Sequence, residues 1–128
     1  MQMIKNIKKL RQDALNIGNQ GIKAALPSNF LSENISYTKK KLTICGQDFF
    51  LKKGKGRIFI IGGGKATAKM AAILEQLLPK DLITAGLVNC NTSTSTEIIK
   101  VNLASHPFPG KTGVTGVKKM LKLCKSLT

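Results

Sequence analysis

RIFIIGGGKATAKM, residues 57–70, decides the fold. Its first part is a continuous apolar run rich in Ile, which is typical of a strand buried on both faces of a parallel sheet. Three glycines and a lysine follow, and apolar residues then recur at helical spacing until Pro79, which cannot continue a helix. A strand, a glycine turn and a helix in this order form the first half of a βαβ unit.

The chain after this unit continues the alternation of strands and helices. Residues 83–89 and 97–103 are predicted to be two further strands, with the Ser/Thr-rich stretch NTSTST between them. A right-handed crossover would lay the first of these strands parallel to residues 58–61. Helical spacing resumes over residues 113–127.

The chain before the glycine strand is predicted to begin with an amphipathic helix over residues 3–26, weakened by two glycines. PSNFLSEN then connects to a short helical or irregular piece, and residues 41–51 are predicted to form a small β-hairpin. We therefore predict one α/β domain, residues 1–128, with a Rossmann-like, mostly parallel sheet and flanking helices. Because no strand follows the last helix, we expect this domain to be incomplete at its C-terminus.

The charge of the chain is strongly positive. Lys and Arg number 21 against 6 Asp and Glu, a formal net charge of +15. Such a field attracts anions, including nucleotides, phosphorylated metabolites, nucleic acid and acidic lipid. The lysines are spread along the chain without the arginine–aromatic interleaving that stacks on bases, so a solvated lysine surface is favoured over nucleic-acid binding. Acidic surface on a partner, or on a missing part of the polypeptide, would also balance this charge.

The three cysteines, Cys45, Cys90 and Cys124, are widely separated and have no Cys-x-x-Cys spacing or nearby histidine cluster. This pattern argues against a zinc site and a disulfide scaffold, and we predict no metal-ligating residues. Reduced thiols are typical of a cytoplasmic protein. No apolar stretch approaches the roughly 18 residues of a membrane span, and the N-terminus lacks a signal-peptide core, so we expect a cytoplasmic location and no membrane partner.

The glycine turn can be tested against two phosphate-binding fingerprints. The P-loop fails because neither Ser nor Thr follows Lys65. The dinucleotide fingerprint fits weakly, since Thr67 takes its third glycine position and the acidic residue expected about 20 positions later is absent. Glycines still let backbone amides approach an oxyanion, and a lysine in the first turn of a helix is unfavourable unless an anion joins it. An anion site and a tight turn with a surface lysine both remain open.

The only histidine of the sequence lies in a second candidate site, the loop ASHPFPG, residues 104–110. Two prolines stiffen this loop after a predicted strand, so His106 is either a structural hydrogen-bonding residue, the commoner case, or part of a site. Loops that follow parallel strands gather at the carboxyl edge of the sheet, so this loop and the glycine turn would converge on one crevice. NTSTST would add hydroxyls there or form a solvated loop, and we favour the loop.

These segments in order resemble one enzyme family. GGGKATAKMAAILE resembles the G-x-G-K-A-x-x-M-A stretch of the glycerate 2-kinases, which are often labelled hydroxypyruvate reductases. AGLVN and ASHPFPG resemble their G-L-V and A-G-H-P-x-P-D segments at similar spacing. The N-terminal helix with Arg11 and the predicted hairpin also fit, so the resemblance covers almost the whole chain.

The resemblance implies transfer of a phosphoryl group from ATP to D-glycerate, giving 2-phosphoglycerate, with Mg²⁺ or another divalent ion. It implies that Lys65 is the catalytic residue, where a cation would neutralise charge on the transferring group or orient the substrate carboxylate. Gly62, Gly63 and Gly64 would line the substrate- or phosphate-binding site. His106 carries over to that site more loosely.

The sequence departs from the family pattern in two ways. Ser105 and Gly110 stand where the family usually has Gly and Asp, so the loop lacks its acidic residue. Family members also run to several hundred residues, with a Ser-Gly-Gly-rich segment and a C-terminal domain that this sequence does not contain. We therefore expect an N-terminal portion that is inactive alone: a truncated product, a poorly folding remnant, or one piece of a split enzyme with a complementary C-terminal chain. The alternative is a basic anion- or nucleic-acid-binding module without catalysis.

Overall fold

The computed structural model describes residues 2–51 and 56–126. Two helices come first, four strands follow, and two further helices flank the last two strands, with a short 3₁₀ turn before the fifth strand. In chain order the elements are α1 (Gln2–Ala25), α2 (Pro27–Asn34), β1 (Ile35–Thr38), β2 (Lys41–Ile44), β3 (Gln47–Phe50), β4 (Ile58–Gly63), α3 (Thr67–Leu77), β5 (Ile83–Cys90), β6 (Ile99–Leu103) and α4 (Lys111–Lys125).

The first three strands form an antiparallel sheet in the order β1-β2-β3. The predicted hairpin is confirmed as β2 and β3, with Lys41 opposite Phe50. Asp48 stabilises it by accepting hydrogen bonds from the Lys41 ammonium at 2.9 Å and the Thr43 hydroxyl at 2.7 Å. The sequence pattern did not reveal β1, because four residues are too short to show a clear alternation.

The other three strands form a parallel sheet in the order β4-β5-β6. The predicted α/β fold with a parallel sheet and flanking helices is therefore confirmed. β4 and β5 pair in parallel and are joined by α3, as expected of a βαβ unit. Residues 91–98 join β5 to β6 without a helix.

Helices α3 and α4 pack on opposite faces of the parallel sheet, as the alternation of side chains along β5 shows. Val88 joins the buried core with Ala71 of α3, whereas the next residue, Asn89, contacts α4. The core also includes Leu42 of β2, which ties the antiparallel sheet to this assembly. The largest fully buried side chain is Ile99 of β6, with 1% of its surface exposed.

The start of β6 is set by a carboxylate of α3. The backbone N–H groups of Glu97, Ile98 and Ile99 all donate to Glu75, at 2.7, 2.8 and 2.6 Å. The strand therefore begins at Ile99, two residues later than the sequence pattern predicted, because the preceding amides bind a side chain instead of a neighbouring strand.

The amphipathic helix predicted at the N-terminus is confirmed as α1, which packs against α2. Many of its apolar side chains remain exposed, including Leu10, Leu15, Ile17 and Ile22, each with more than 60% of its surface accessible. Within the described part of the chain, no helix is long and apolar enough to cross a membrane.

Candidate active site

The glycine turn joins the end of β4 to the start of α3. Gly64 has a φ of 145°, which residues with a side chain rarely adopt. Its N–H donates to the carbonyl of Asn89 at 3.1 Å, which fastens the turn to the end of β5. The Thr67 hydroxyl lies 2.6 Å from the Gly64 carbonyl and 2.8 Å from the Asn89 carbonyl. The turn is therefore held by the neighbouring strand as well as by its own backbone.

Lys65 lies two residues before α3, whereas the sequence had suggested the first helical turn. The reason is that the N–H of Thr67 bonds to the carbonyl of Gly64 at 3.2 Å, which closes a turn before the helix begins. Gly62 and Gly63 are the last residues of β4 and pair with Val88 and Asn89. The three glycines thus divide between a strand and a turn.

The histidine loop leaves β6 beside the end of β5. The N–H of Ala104 donates to the carbonyl of Cys90 at 2.9 Å, so the chain departs at the same edge as the glycine turn. His106 follows on the exposed part of this loop, and Gly110 precedes the first residue of α4.

The two loops line one cleft of about 440 Å³. The predicted convergence at the carboxyl edge of the sheet is therefore confirmed, since Gly64, Lys65 and His106 all line this cleft. Among the described residues, Gly62 and Gly63 do not line it. The catalytic and binding roles assigned to these five residues stay predictions.

The electrostatics of the cleft favour a negatively charged ligand. Its lining includes Lys65, Lys118 and His106, and no carboxylate from the described part of the chain. The residues before α3 and α4, Ala66 and Gly110, make no side-chain capping bond within the described chain, so no side-chain cap competes with a ligand for these helix ends. The N-terminal ends of both helices lie at this edge, and each carries a partial positive charge.

Residues 13–128 match the protein family described as "Domain of unknown function (DUF4147)". The chain belongs to this family. It is also similar to a protein from Pyrococcus horikoshii named "Glycerate 2-kinase", with 28% identity over 116 residues. These residues make up 89% of this chain and 25% of that relative.

The fold of this DUF4147 domain is also similar to a solved structure, the crystal structure of the PH0495 protein from Pyrococcus horikoshii. The TM-score is 0.74 at 27% identity, covering 89% of this chain and 25% of that one. The chain thus spans about a quarter of the length of the relatives it matches. The predicted resemblance to an N-terminal portion of a glycerate 2-kinase is confirmed.

Two asparagines that sequence analysis did not identify hold α4 against the DUF4147 sheet. The side-chain amide of Asn89 donates to the Gly113 carbonyl at 2.9 Å. Asn102 donates to the side-chain oxygen of Asn89 at 2.8 Å and lies 3.1 Å from the Thr112 carbonyl. These bonds fix the first turn of α4, and with it one wall of the cleft. Polar residues that end apolar strands were the signal available in the sequence.

Close approach of α4 to these asparagines depends on Gly116, which is buried. A Cβ placed there would lie 1.9 Å from the side-chain oxygen of Asn89 and 2.7 Å from the side-chain nitrogen of Asn102. At the other end of the helix, the Arg57 guanidinium donates to the carbonyl of Ser126. The helix is therefore anchored at both ends.

Cys90 lies at the base of the cleft, with 2% of its surface exposed. Burial raises the pKa of its thiol, but hydrogen bonds from Thr92 and from the backbone N–H of Ala68 outweigh that effect and lower the pKa to about 7. The thiol also lies 3.3 Å from the carbonyl of Lys65. Cys90 is free, as are Cys45 and Cys124.

The described residues of this DUF4147 domain do not fit a magnesium ion. Mg²⁺ is bound by carboxylate, phosphate and water oxygens, and the cleft has no carboxylate among the residues that the structure describes. Within residues 2–51 and 56–126, no group of three or more His, Cys, Asp or Glu side chains could hold a metal. The glycine turn and the two helix ends fit an anionic group, such as a phosphate or a carboxylate.

Proposed function

We propose that this DUF4147 chain forms the Lys65 side of a glycerate 2-kinase active site, which phosphorylates D-glycerate with ATP to give 2-phosphoglycerate. The observation that carries the proposal is the meeting of Lys65 and His106 in one cleft at the carboxyl edge of the parallel sheet. Similarity to a relative named "Glycerate 2-kinase" supports it independently. An ATP-dependent reaction also fits the cytoplasmic location expected from the sequence.

The contribution of this chain to the reaction is electrostatic. Phosphoryl transfer depends on positioning the groups and on stabilising the charge of the transferring phosphoryl. Lys65 would supply a cation at the mouth of the glycine turn, either to that group or to the carboxylate of glycerate. The exposed His106 would contact the substrate from the opposite loop. The ligands of a divalent ion would come from the rest of such an enzyme, outside the quarter of its length that is similar to this chain.

The test is a coupled assay of D-glycerate phosphorylation with ATP and magnesium. The chain is assayed alone and mixed with the C-terminal portion of a related glycerate 2-kinase. We expect activity only in the mixture, and we expect Lys65→Ala to lower kcat by about 100-fold or more, as removal of a charge-stabilising donor does. Lys69→Ala, on the exposed side of α3, is the matched control and should keep full activity.

Two results would count against the kinase proposal. One is the absence of glycerate phosphorylation in a mixture shown to be folded and assembled. The other is equal activity of the Lys65→Ala and Lys69→Ala mixtures, which would remove Lys65 from the site.

A second candidate function is anion binding without catalysis, and the absence of a carboxylate among the described cleft residues favours it specifically. Binding of phosphorylated ligands by an inactive mixture would support this candidate. If nucleic acid binds in competition with those ligands, the result would support a nucleic-acid-binding module without catalysis.

A further inference from the structure

A second lysine, Lys118, lines the same cleft as Lys65. It lies on α4, on the helix face that also carries Gly113, Val114 and Val117 toward the cleft. Residues at these spacings share one face of a helix. Within the described residues Lys118 has no carboxylate partner; the ion pairs found there join Lys41 to Asp48 and Lys80 to Glu97.

Helix geometry directs this lysine toward the candidate site. Lys118 follows Gly110 by eight positions, which is about 12 Å along the helix axis. Side chains on a helix tilt toward its N-terminus, and a lysine covers the surface of the preceding turn. The ammonium group of Lys118 is therefore carried back along the wall of the cleft toward the carboxyl edge, while Lys65 enters from the glycine turn.

The next residue shows that this placement is not a property of every lysine on α4. Lys119 and Lys122 line a separate concavity with Ala85, Leu87 and Lys100, on the part of the sheet away from the two loops. Lys119 therefore has the same charge, the same helix and nearly the same sequence position as Lys118, but no place in the cleft.

Two separate cations in a cleft of this size match a ligand with two separate anionic groups. We propose that Lys118 is a second cationic binding residue of the site, so that the cleft prefers an acid that carries both a carboxylate and a phosphate over an acid or phosphate alone. This inference rests on the proposed function, whose product, 2-phosphoglycerate, is such a compound. Lys65 and Lys118 would each hold one of its two anionic groups.

The test is binding of three ligands to the 128-residue chain, measured by its backbone amide shifts in NMR titrations, for which its mass of 13.8 kDa is suitable. The ligands are 2-phosphoglycerate, D-glycerate and inorganic phosphate, and the amides of Gly64, Lys65 and Gly113 report binding in the cleft. The measured quantity is the advantage of 2-phosphoglycerate, defined as the Kd of the tighter single-group ligand divided by the Kd of 2-phosphoglycerate.

We expect Lys118→Met to reduce this advantage about tenfold, since a charge-assisted hydrogen bond to one group is lost. Lys119→Met removes the same charge and should leave the advantage unchanged, and Lys118→Arg should retain it. Met keeps the helix propensity of Lys, so neither substitution should alter the fold. Thermal denaturation of each variant checks this.

The outcomes separate the inference from the proposed function. Equal behaviour of Lys118→Met and Lys119→Met overturns the role of Lys118, and leaves the kinase proposal standing if Lys65→Met still weakens binding. Binding of inorganic phosphate without any binding of D-glycerate or 2-phosphoglycerate overturns both. A wild-type advantage close to one also overturns the inference, because the cleft would then hold a single anionic group.

Discussion

Substitution of Gly116 by Ala tests whether α4 is locked onto the sheet by the asparagine pair. The new methyl group would lie 1.9 Å from the side-chain oxygen of Asn89, well inside any permitted contact. Asn89 cannot simply rotate away, because it is bonded to the Gly113 carbonyl and accepts a bond from Asn102. Either these bonds break or the helix moves away from the sheet.

The expected cost follows from three opposing effects. An extra methyl group in a packed site costs about 1–3 kcal/mol. Each broken hydrogen bond adds about 1 kcal/mol. The higher helix propensity of Ala relative to Gly stabilises the helix by about 1 kcal/mol and offsets part of this cost. We therefore expect Gly116→Ala to lower the free energy of unfolding by about 2 kcal/mol.

Gly113 provides a matched control on the same helix. A Cβ at Gly113 would lie 3.7 Å from the Cβ of Ala104, an ordinary van der Waals contact. Gly113→Ala should therefore stabilise the protein by about 0.5–1 kcal/mol through helix propensity alone.

Urea denaturation measured by circular dichroism compares the two variants. With a slope of about 1–3 kcal/mol per molar urea, their midpoints should differ by about 1 M or more. Equal or higher stability of Gly116→Ala relative to Gly113→Ala would refute the claim that Asn89 and Asn102 hold the helix in close contact.

Three further predictions concern the sheet and the base of the cleft. Partial burial raises the pKa of Glu75, but the three backbone N–H bonds near β6 and the charge of Lys80 outweigh this and lower the pKa below its usual value of 4.5. The Glu75 carboxylate therefore stabilises the fold above pH 4.5, and this stabilisation is lost as the pH falls through the pKa of the folded state. Glu75→Gln should cost about 1 kcal/mol at neutral pH after allowance for solvent screening, and should flatten the acid limb of stability against pH in urea titrations; an unchanged acid limb would contradict these bonds. Ile99→Ala should destabilise by about 2–5 kcal/mol and Ile99→Val by about 0.5–1.5 kcal/mol in the same assay, and equal effects would contradict the tight packing of this residue. The Cys90 thiol, whose pKa burial raises and hydrogen bonds lower to about 7, should show a midpoint near that pH in its ¹³Cβ shift, and no change between pH 6 and 8 would contradict these bonds.

The strands and helices that the sequence predicted correctly share one property: their burial follows from the local pattern. The apolar run before the glycines became β4, and the helical spacing after them became α3, because each segment buries its own apolar residues against the same sheet. The rule that loops after parallel strands share one edge then brought Lys65 and His106 together in the cleft.

The elements that the sequence did not predict depend on partners far along the chain. β1 exists because Ile35–Thr38 can pair with β2, and its four residues alone have no distinctive period. The delayed start of β6 depends on Glu75, more than 20 residues earlier. Asn89 and Asn102 can together hold α4, one wall of the cleft, only because parallel pairing places them side by side. Local patterns in a single sequence hold no information on contacts between residues that are far apart in the chain.

Ser105 and Gly110, the two residues of the histidine loop that differ from the glycerate 2-kinase pattern, lie next to each other in the structure. A Cβ at Gly110 would lie 2.5 Å from the hydroxyl oxygen of Ser105, so any larger residue at 110 would displace that side chain. Where the family usually combines Gly with Asp, this chain combines Ser with Gly, and the serine hydroxyl occupies the space next to position 110. The exchange removes one negative charge from a cleft that Lys65 and Lys118 also line. The missing loop carboxylate and the positive charge of Lys118 both favour the anionic ligand that we propose for this cleft.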